Sequence, residues 1–395
     1  MVRWTEIIAT VCLSGAIVQS FVAQSMQPWL MRKFKALPRA TAFKFVVFDI
    51  EGVFIFWTLL YLLLLMIDDW QRPFHLVSQL RFTEVIVVSG LMFICSSEVI
   101  SEIVILILEL SVSIFQSSRA AVFLIITLTF GPLFGSFITQ PAAMTILAFV
   151  LRRKFFSAPL SSDFKYAILA TLLVNISIGG TLTPFAAPPI LMVAHDWNWD
   201  LRYMLLHFGW KGIEASVVSS LWLAGHFRKE LATLAWPEMR TGKTRIGFRE
   251  WQQNTSGIFY FQKKQFFSAL AIGLFLASVI ILSSDQSWWL SSLFQQLSNF
   301  ELYVATIAIT GIVDNAAITA LGLHIPALTG DQKYLLVAAS VVGGGLTLMA
   351  NAPNLIAYSI VKNDLDLGRV GFSAFKLFRA ALVPTLISAL AFAIF

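Results

Sequence analysis

Charged residues are scarce in this chain. Only 13% of its 395 residues are charged, whereas 57% are hydrophobic. A soluble domain carries about twice that share of charge. The scarcity excludes an ordinary water-soluble protein and predicts an all-α polytopic membrane protein, because helices satisfy their own backbone groups inside a bilayer.

Cysteine and histidine are also rare. Cys12 and Cys95 lie in separate apolar segments, so neither a disulfide framework nor a zinc site is supported. The five histidines are scattered, and no catalytic set of a membrane-embedded enzyme assembles. The "TGKT" at 241–244 has Pro237 where a phosphate-binding loop needs glycine. We therefore expect no enzyme activity, no bound cofactor and no use of ATP.

Long apolar runs fill most of the chain, each near the roughly 20 residues that cross a bilayer. Two further runs, 121–151 and 298–328, are interrupted by "ITQPAAMT" and "IVDNAAIT", and we interpret them as re-entrant helical hairpins. A cleaved signal peptide is the alternative for the first run. The predicted spans are 6–24, 45–67, 83–106, 166–193, 203–224, 265–283, 334–361 and 377–395.

The basic residues concentrate on one predicted side of the membrane. The loops on that side hold 22 of the 28 Lys and Arg residues, so the positive-inside rule makes it cytoplasmic. The first hairpin then enters from the cytoplasm and the second from outside. The charge of +6 suits an anionic lipid surface, and no nucleic-acid partner is expected. The basic segments are 25–44, 116–120, 152–165, 225–264 and 362–379.

The chain repeats itself. "QPAAMTILA" (140–148) agrees with "DNAAITALG" (314–322) at four of nine positions, and "GGTLTPFAAPPILM" (179–192) agrees with "GGGLTLMANAPNLI" (343–356) at seven of fourteen. With the sidedness above, the halves form an inverted-topology repeat of the kind found in transporters. The predicted organisation is spans outside the repeat in 1–82, a first repeat in 83–224, a basic cytoplasmic linker in 225–264 and a second repeat in 265–395.

Each predicted repeat breaks a helix at membrane depth. The stretch "GGGLTLMANAPN" (343–354) places three glycines, two asparagines and a proline inside an apolar run. Such a break leaves backbone groups without partners at a cost of several kcal/mol each, unless a bound ion replaces them. Two related breaks, each paired with a polar hairpin tip, favour an ion site over a packing kink. We predict two discontinuous transmembrane helices.

These motifs resemble the ion transporter superfamily, which includes NhaD-type antiporters, divalent anion/sodium symporters and arsenite permeases. The pattern is most similar to its group of "putative" sodium/proton antiporters, over roughly residues 83 to 395. The resemblance implies a homodimer, each protomer having a scaffold part and a moving transport part. The matching residues at the second tip and crossover are Asp314, Asn315, Thr319, Gly343, Gly344, Thr347, Asn351, Pro353 and Asn354.

The first half departs from this pattern. Its tip reads Gln140-Pro141, and Ala187 and Ile190 stand where Asn351 and Asn354 stand in the other half. We expect the better ion site in the second half. The residues of the first-half pseudo-site are Gln140, Thr145, Gly179, Gly180, Thr181 and Thr183.

Asp314 is the strongest candidate for coupling. A carboxylate at membrane depth is costly unless it is neutralised, and either a proton or a sodium ion can do so. Competition between the two is sufficient to couple their exchange. A salt bridge, or capping of the helix that follows the tip, is the alternative role. Hard oxygen ligands suit sodium, and we predict a sodium site at Asp314, Asn315, Thr347 and Asn351.

Glu98 and Glu102 lie on one helical face together with Glu109. They form either a proton path or the wetted face of an interfacial helix.

The sequence thus predicts a secondary active transporter in the bacterial cytoplasmic (inner) membrane, with a monovalent cation and a proton as its transported partners. Sodium/proton antiport is the leading hypothesis. The alternative is sodium-coupled transport of a small anion, which ideally uses a fixed positive charge. Apart from Arg379 near the start of the last span, Lys211 is the only Lys or Arg inside a predicted span.

Overall fold

The computed structural model describes residues 4–33, 50–80, 82, 85–86, 89–90, 107, 119–234, 255–286, 288–289, 296–325, 328–365 and 373–393. The secondary structure of these residues is entirely helical, without a strand. Glu98 and Glu102 lie outside the described residues, as do most of the predicted span 83–106 and the centre of the predicted linker. The predicted all-helical fold is confirmed for the part that is described.

Within the described residues, three helices precede the predicted repeat: α1 (Trp4–Lys33), α2 (Ile50–Asp68) and α3 (Arg72–Gln79). The next group is α4 (Arg119–Ile138), α5 (Gln140–Leu151), α6 (Ser162–Gly179), α7 (Pro188–Ala194), α8 (Leu201–Met204), α9 (Trp210–His226) and α10 (Arg228–Thr233). The last group is α11 (Thr255–Ser283), α12 (Asn299–Thr310), α13 (Asn315–Leu323), α14 (Gly330–Gly343), α15 (Pro353–Leu365) and α16 (Ala374–Ala393).

Four stretches of helix in the described residues are long and apolar enough to cross a membrane. Large apolar side chains are exposed along α2, α4 and α16, among them Leu63, Phe130 and Leu390. Such a surface would be unfavourable in water and is the kind that lipid covers. The four stretches are Glu51–Asp68, Arg119–Ile138, Ser162–Leu182 and Ala374–Ala393.

Both predicted helix breaks are present. Helix α6 ends at Gly179, a short 3₁₀ turn follows, and α7 begins at Pro188. Helix α14 ends at Gly343, and α15 begins at Pro353. Proline is suited to the first turn of a helix, where its missing N–H has no partner to lose. We call residues 180–187 the first crossover and residues 344–352 the second.

The two predicted hairpins correspond to two helix pairs. Helices α4 and α5 pack against each other and are joined at Thr139. Helices α12 and α13 are joined by residues 311–314. Helix α4 has 20 residues, enough to cross a bilayer, whereas α12 has 12. The re-entrant course of either pair stays a prediction.

Helix packing is reciprocal between the two halves. Helix α7, which follows the first crossover, packs against α13 of the second half. Helix α15, which follows the second crossover, packs against α5 of the first half. Helices α4 and α6 pack together, as do α12 and α14. The helix after each break thus packs against the helix after the other half's tip, which agrees with the duplication in the sequence.

Polar contacts join three of the segments that were predicted to be cytoplasmic. Arg152 Nε forms an ion pair with Asp364 Oδ2 at 2.6 Å. The Ser161 hydroxyl donates to Glu230 Oε1 at 2.8 Å. The described residues of segments 152–165, 225–264 and 362–379 that make these contacts therefore meet at one end of the helices, which agrees with the prediction that the segments share one side.

Candidate functional site

Five polar side chains meet where the tips approach the crossovers, and all five are at least 99% buried. Burial of polar groups at this depth is costly unless each finds a partner. The arrangement therefore marks a candidate site. We call these residues the central polar cluster: Gln140, Ser177, Asn315, Asn351 and Asn354.

Asp314 lies beside this cluster and is 5% exposed. Its Oδ1 accepts a hydrogen bond from Ala316 N at 2.8 Å, at the start of α13. Its Oδ2 accepts from Ala352 N at 3.1 Å, immediately before α15. Two helix N-termini thus point at one carboxylate, which compensates part of its charge. The predicted alternative role of Asp314, capping of α13, is present.

The Asn315 side chain has an unusual environment. It is completely buried, and neither Oδ1 nor Nδ2 has a hydrogen-bond partner among the described residues. Its backbone N–H donates to Ala350 O at 2.9 Å, which fixes the tip against the second crossover. The free carboxamide faces Gly344, because a methyl group built on Gly344 would lie 2.7 Å from Asn315 Nδ2.

Asn354 and Thr347 hold the second crossover in shape. Asn354 Nδ2 donates to Gly344 O and to Thr347 O, both at 2.8 Å, whereas Asn354 Oδ1 is buried without a partner. Thr347 Oγ1 donates to Gly311 O at 2.7 Å and accepts from two backbone N–H groups of the crossover. The hydroxyl of Thr347 is therefore fully used by the backbone.

Gln140 connects the first tip to both halves. Its Nε2 donates to Ile176 O and Ser177 O, both at 3.0 Å, near the end of α6. Its Oε1 accepts from Asn351 Nδ2 at 3.3 Å. The Gln140 amide is thus occupied at both ends, unlike the amide of Asn315.

The two tip amides occupy corresponding places in the two halves. A methyl group on Gly180 would lie 2.6 Å from Gln140 Nε2, as one on Gly344 would lie 2.7 Å from Asn315 Nδ2. Gly180 aligns with Gly344 in the sequence duplication. Glycine leaves room for the amide at both positions, because a side chain there would displace the amide from its present place.

Several predicted site residues point elsewhere. Thr145 and Thr319 donate to carbonyls of their own helices. Thr181 Oγ1 donates to Ile178 O and Thr183 Oγ1 to Ser136 O, both at 2.6 Å. These four hydroxyls hold the backbone of the site. Gly179 and Gly343 serve close packing, since a methyl group on either would lie within 2.8 Å of a backbone atom of α4 or α12.

Three buried polar residues were not predicted from the sequence. Ser177 Oγ donates to Val341 O at 2.6 Å and so ties α6 to α14. Asn175 ties α6 to α4 through Leu128 O at 2.7 Å. Thr139 at the first tip has φ 77°, a strained conformation for a β-branched residue. Ser177 and Asn175 interrupt the apolar run "LLVNISIGG", and this interruption is the sequence feature that could have indicated them.

Lys211 is buried in α9, away from the polar cluster. Its Nζ donates to the phenol oxygen of Tyr334 at 2.7 Å and lies 4.5 Å from that ring's centroid. The phenol in turn donates to Phe392 O at 2.8 Å. Lys211 therefore joins α9, α14 and α16.

The sequence matches, over residues 4–249 and 253–395, the family described as "Putative Na+/H+ antiporter". The chain belongs to this family. No individual curated protein matches it. The resemblance read from the tips and crossovers is thereby confirmed, and the match extends to α1 and α2, which lie outside the predicted repeat.

Membership of this family makes the protein a membrane transporter rather than an enzyme. A monovalent cation and a proton are the partners that the family description names.

Proposed function

We propose that the protein exchanges Na⁺ for H⁺ across the membrane, with Asp314 as the coupling carboxylate and Asn315 as a cation ligand. The observation that supports this most strongly is the free carboxamide of Asn315. It is fully buried, it has no hydrogen-bond partner among the described residues, and it adjoins Asp314 at a helix break.

A buried amide without partners destabilises the fold. Each unpaired polar group costs about 1–3 kcal/mol, and Asn315 contributes two such atoms. Packing alone would favour a leucine of similar size. The amide is best explained as part of a site whose partner is the transported ion.

The oxygen atoms available here suit sodium. The Asp314 carboxylate has about four lone-pair positions, and the backbone N–H groups of Ala316, Ala317 and Ala352 use three of them, so one is left for an ion. The carboxamides of Asn315 and Asn354 add oxygens with free lone pairs. Carboxylate and amide oxygens are hard ligands, as alkali and alkaline-earth cations require. In this proposal Thr347 positions the crossover instead of binding sodium, because its hydroxyl already serves the backbone. The amide nitrogen of Asn351 serves Gln140 Oε1, so Asn351 would bind sodium only through its oxygen.

Exchange follows from competition at the Asp314 carboxylate. In a low-dielectric surrounding the group holds either Na⁺ or H⁺, and an empty charged carboxylate is the costly state. Asp314 therefore crosses between the two sides neutralised, with one ion or the other. Opposed hairpins and an inverted repeat, which remain part of the proposal, provide the alternating access. We further propose a location in the bacterial inner membrane and a homodimer.

The first half is proposed to bind no cation. The Nε2 group of Gln140 sits against the carbonyls of Ile176 and Ser177, at the break where a cation would bind. An amide N–H donor thus takes the place of a positive charge. One cation site per protomer results.

The proposed function is tested with purified protein in liposomes that contain a pH-sensitive dye. A Na⁺ gradient is expected to drive protons in the opposite direction, and K⁺ and Li⁺ gradients reveal the cation preference. If none of the three cations moves protons, the antiport proposal is overturned, and sodium-dependent anion uptake is the assay to run next.

Asn315→Leu should weaken sodium binding without weakening the fold. Leucine removes two unpaired polar atoms, so we expect the free energy of unfolding to rise by about 1–2 kcal/mol. The KM for Na⁺ should rise about tenfold or more. Thermal unfolding and exchange kinetics measure the two effects. Ser388→Ala is the matched control, because that buried hydroxyl donates to its own helix at Pro384 O. Unchanged KM in Asn315→Leu would remove this residue from the cation site.

Gln140→Leu should destabilise the fold, in contrast to Asn315→Leu. It leaves Ser177 O and the Asn351 amide without a partner, so we expect the free energy of unfolding to fall by about 1–3 kcal/mol. Thermal unfolding in detergent measures it. A stabilised Gln140→Leu protein would show that the amide is not a structural substitute for a cation.

A further inference from the structure

A small cavity lies on the side of Asp314 that faces the N-terminal helices. It is lined by Ser20 and Ile17 of α1, Phe54 of α2, and Val313 and Met349 near Asp314 itself. Its volume is about 10 Å³ as measured for a water-sized sphere, which is room for about one water molecule. Asn315 and Asn354 are not among its lining residues.

Ser20 is the second polar group of this cavity. Its side chain is 2% exposed, and its Oγ has no hydrogen-bond partner among the described residues. Buried serine and threonine hydroxyls in helices commonly donate to the carbonyl four residues earlier. Thr10 on the same helix does so, to Glu6 O at 2.8 Å. The hydroxyl of Ser20 has no such bond, and among the buried hydroxyls without a partner it is the one that lines this cavity.

We propose that the cavity holds a water molecule between Ser20 Oγ and the Asp314 carboxylate, and that protons reach Asp314 through it. This inference rests on the proposed function. A hydroxyl both donates and accepts, so Ser20 can orient a water whichever protonation state Asp314 has. The three backbone N–H groups that donate to the Asp314 carboxylate leave one of its about four lone-pair positions, so Asp314 can accept from that water.

The placement separates the other proposed sodium ligands from the proposed route of the protons. The proposed cation ligands Asn315 and Asn354 lie at Gly344, whereas the water cavity faces α1 and α2. Helix α1, outside the predicted repeat, thus supplies a positioning residue for the proton step. The cavity is too small, and its neighbours Ile17 and Phe54 are too apolar, for it to hold more than about one water molecule.

The test compares Ser20→Ala with Ser20→Thr, which restores a hydroxyl, and with Ser14→Ala on an exposed position of the same helix. Infrared difference spectra of the full-length protein between high and low pH report the carbonyl stretch of protonated Asp314, identified by its loss in Asp314→Asn. Proton exchange in liposomes is measured on the same proteins. We expect Ser20→Ala to shift that band and to slow exchange about tenfold, Ser20→Thr to restore both, and Ser14→Ala to match the wild type.

A wild-type band and wild-type exchange in Ser20→Ala would overturn the proposal. Slower exchange with an unshifted band would overturn it as well, because Ser20 would then act through packing alone. A shifted band with unchanged exchange would place the water off the proton route. If the wild type moves no protons at all, the proposed function fails, while the infrared band still decides whether Ser20 and Asp314 share a water.

Discussion

Asp314→Asn is expected to reduce cation-driven proton exchange to the background of empty liposomes. The amide has the shape of the carboxylate, but it carries no charge and does not take up or release a proton near neutral pH. The variant therefore lacks the group for which Na⁺ and H⁺ compete. Its oxygen can still accept from Ala316 N, which keeps the cap of α13. The other atom would be an NH₂ group facing Ala352 N–H, so we expect a loss of about 1–3 kcal/mol in stability.

The measurement is dye-reported proton flux under a Na⁺ gradient, with size-exclusion chromatography to show that the variant folds. Asp331→Asn is the matched control, because Asp331 also lies in the first turn of a helix but is exposed. It is expected to exchange like the wild type. Exchange at the wild-type rate in Asp314→Asn would show that this carboxylate only caps the helix.

Gly345→Ala is expected to prevent most of the protein molecules from folding. A methyl group at residue 345 would lie 2.4 Å from Val174 Cα and 2.5 Å from Val174 N. These are backbone atoms of α6, where every residue from Phe164 to Gly179 is buried, so no side chain can rotate to make room. The second crossover and α6 would have to separate, at a cost of about 3 kcal/mol or more.

The yield of monodisperse protein and its melting temperature in detergent measure this effect. Gly225→Ala is the control, since nothing lies within 4 Å of a methyl group there. In the helix α9 the added methyl is expected to be neutral or to stabilise by about 0.5–1 kcal/mol. A normally folded Gly345→Ala protein would show that α6 and the second crossover can move apart easily.

These two predictions concern different parts of one arrangement. The second crossover can approach α6 closely because glycine stands at the contact, at Gly344 and Gly345. The same crossover carries the groups that meet Asp314, Asn315 and Asn354. A site formed in this way needs both the chemistry of its side chains and the close packing of its backbone.

The sequence determined the parts of the site that depend on residues close together in the chain. Hydrophobic runs predicted helices, glycine and proline predicted where α14 stops and α15 begins, and the duplication related the two breaks. The polar pair Asp314 and Asn315 was visible because it interrupts an apolar run. Helix ends were less accurate: α1 extends to Lys33 beyond the predicted 24, and α11 begins at Thr255 inside the predicted linker. Hydropathy marks where lipid contact ends, whereas backbone hydrogen bonding can continue.

Only the tertiary structure decided which polar groups face one another. It joined the amide nitrogen of Asn351 to Gln140, committed the hydroxyl of Thr347 to the backbone, and left the amide of Asn315 without a hydrogen-bond partner among the described residues. It also brought Ser177 and Ser20, from helices distant in sequence, to the second tip and crossover. The reason is geometric: a side chain's partner across a helix interface depends on how each helix is rotated and packed, and neither quantity is written in a local pattern of residues.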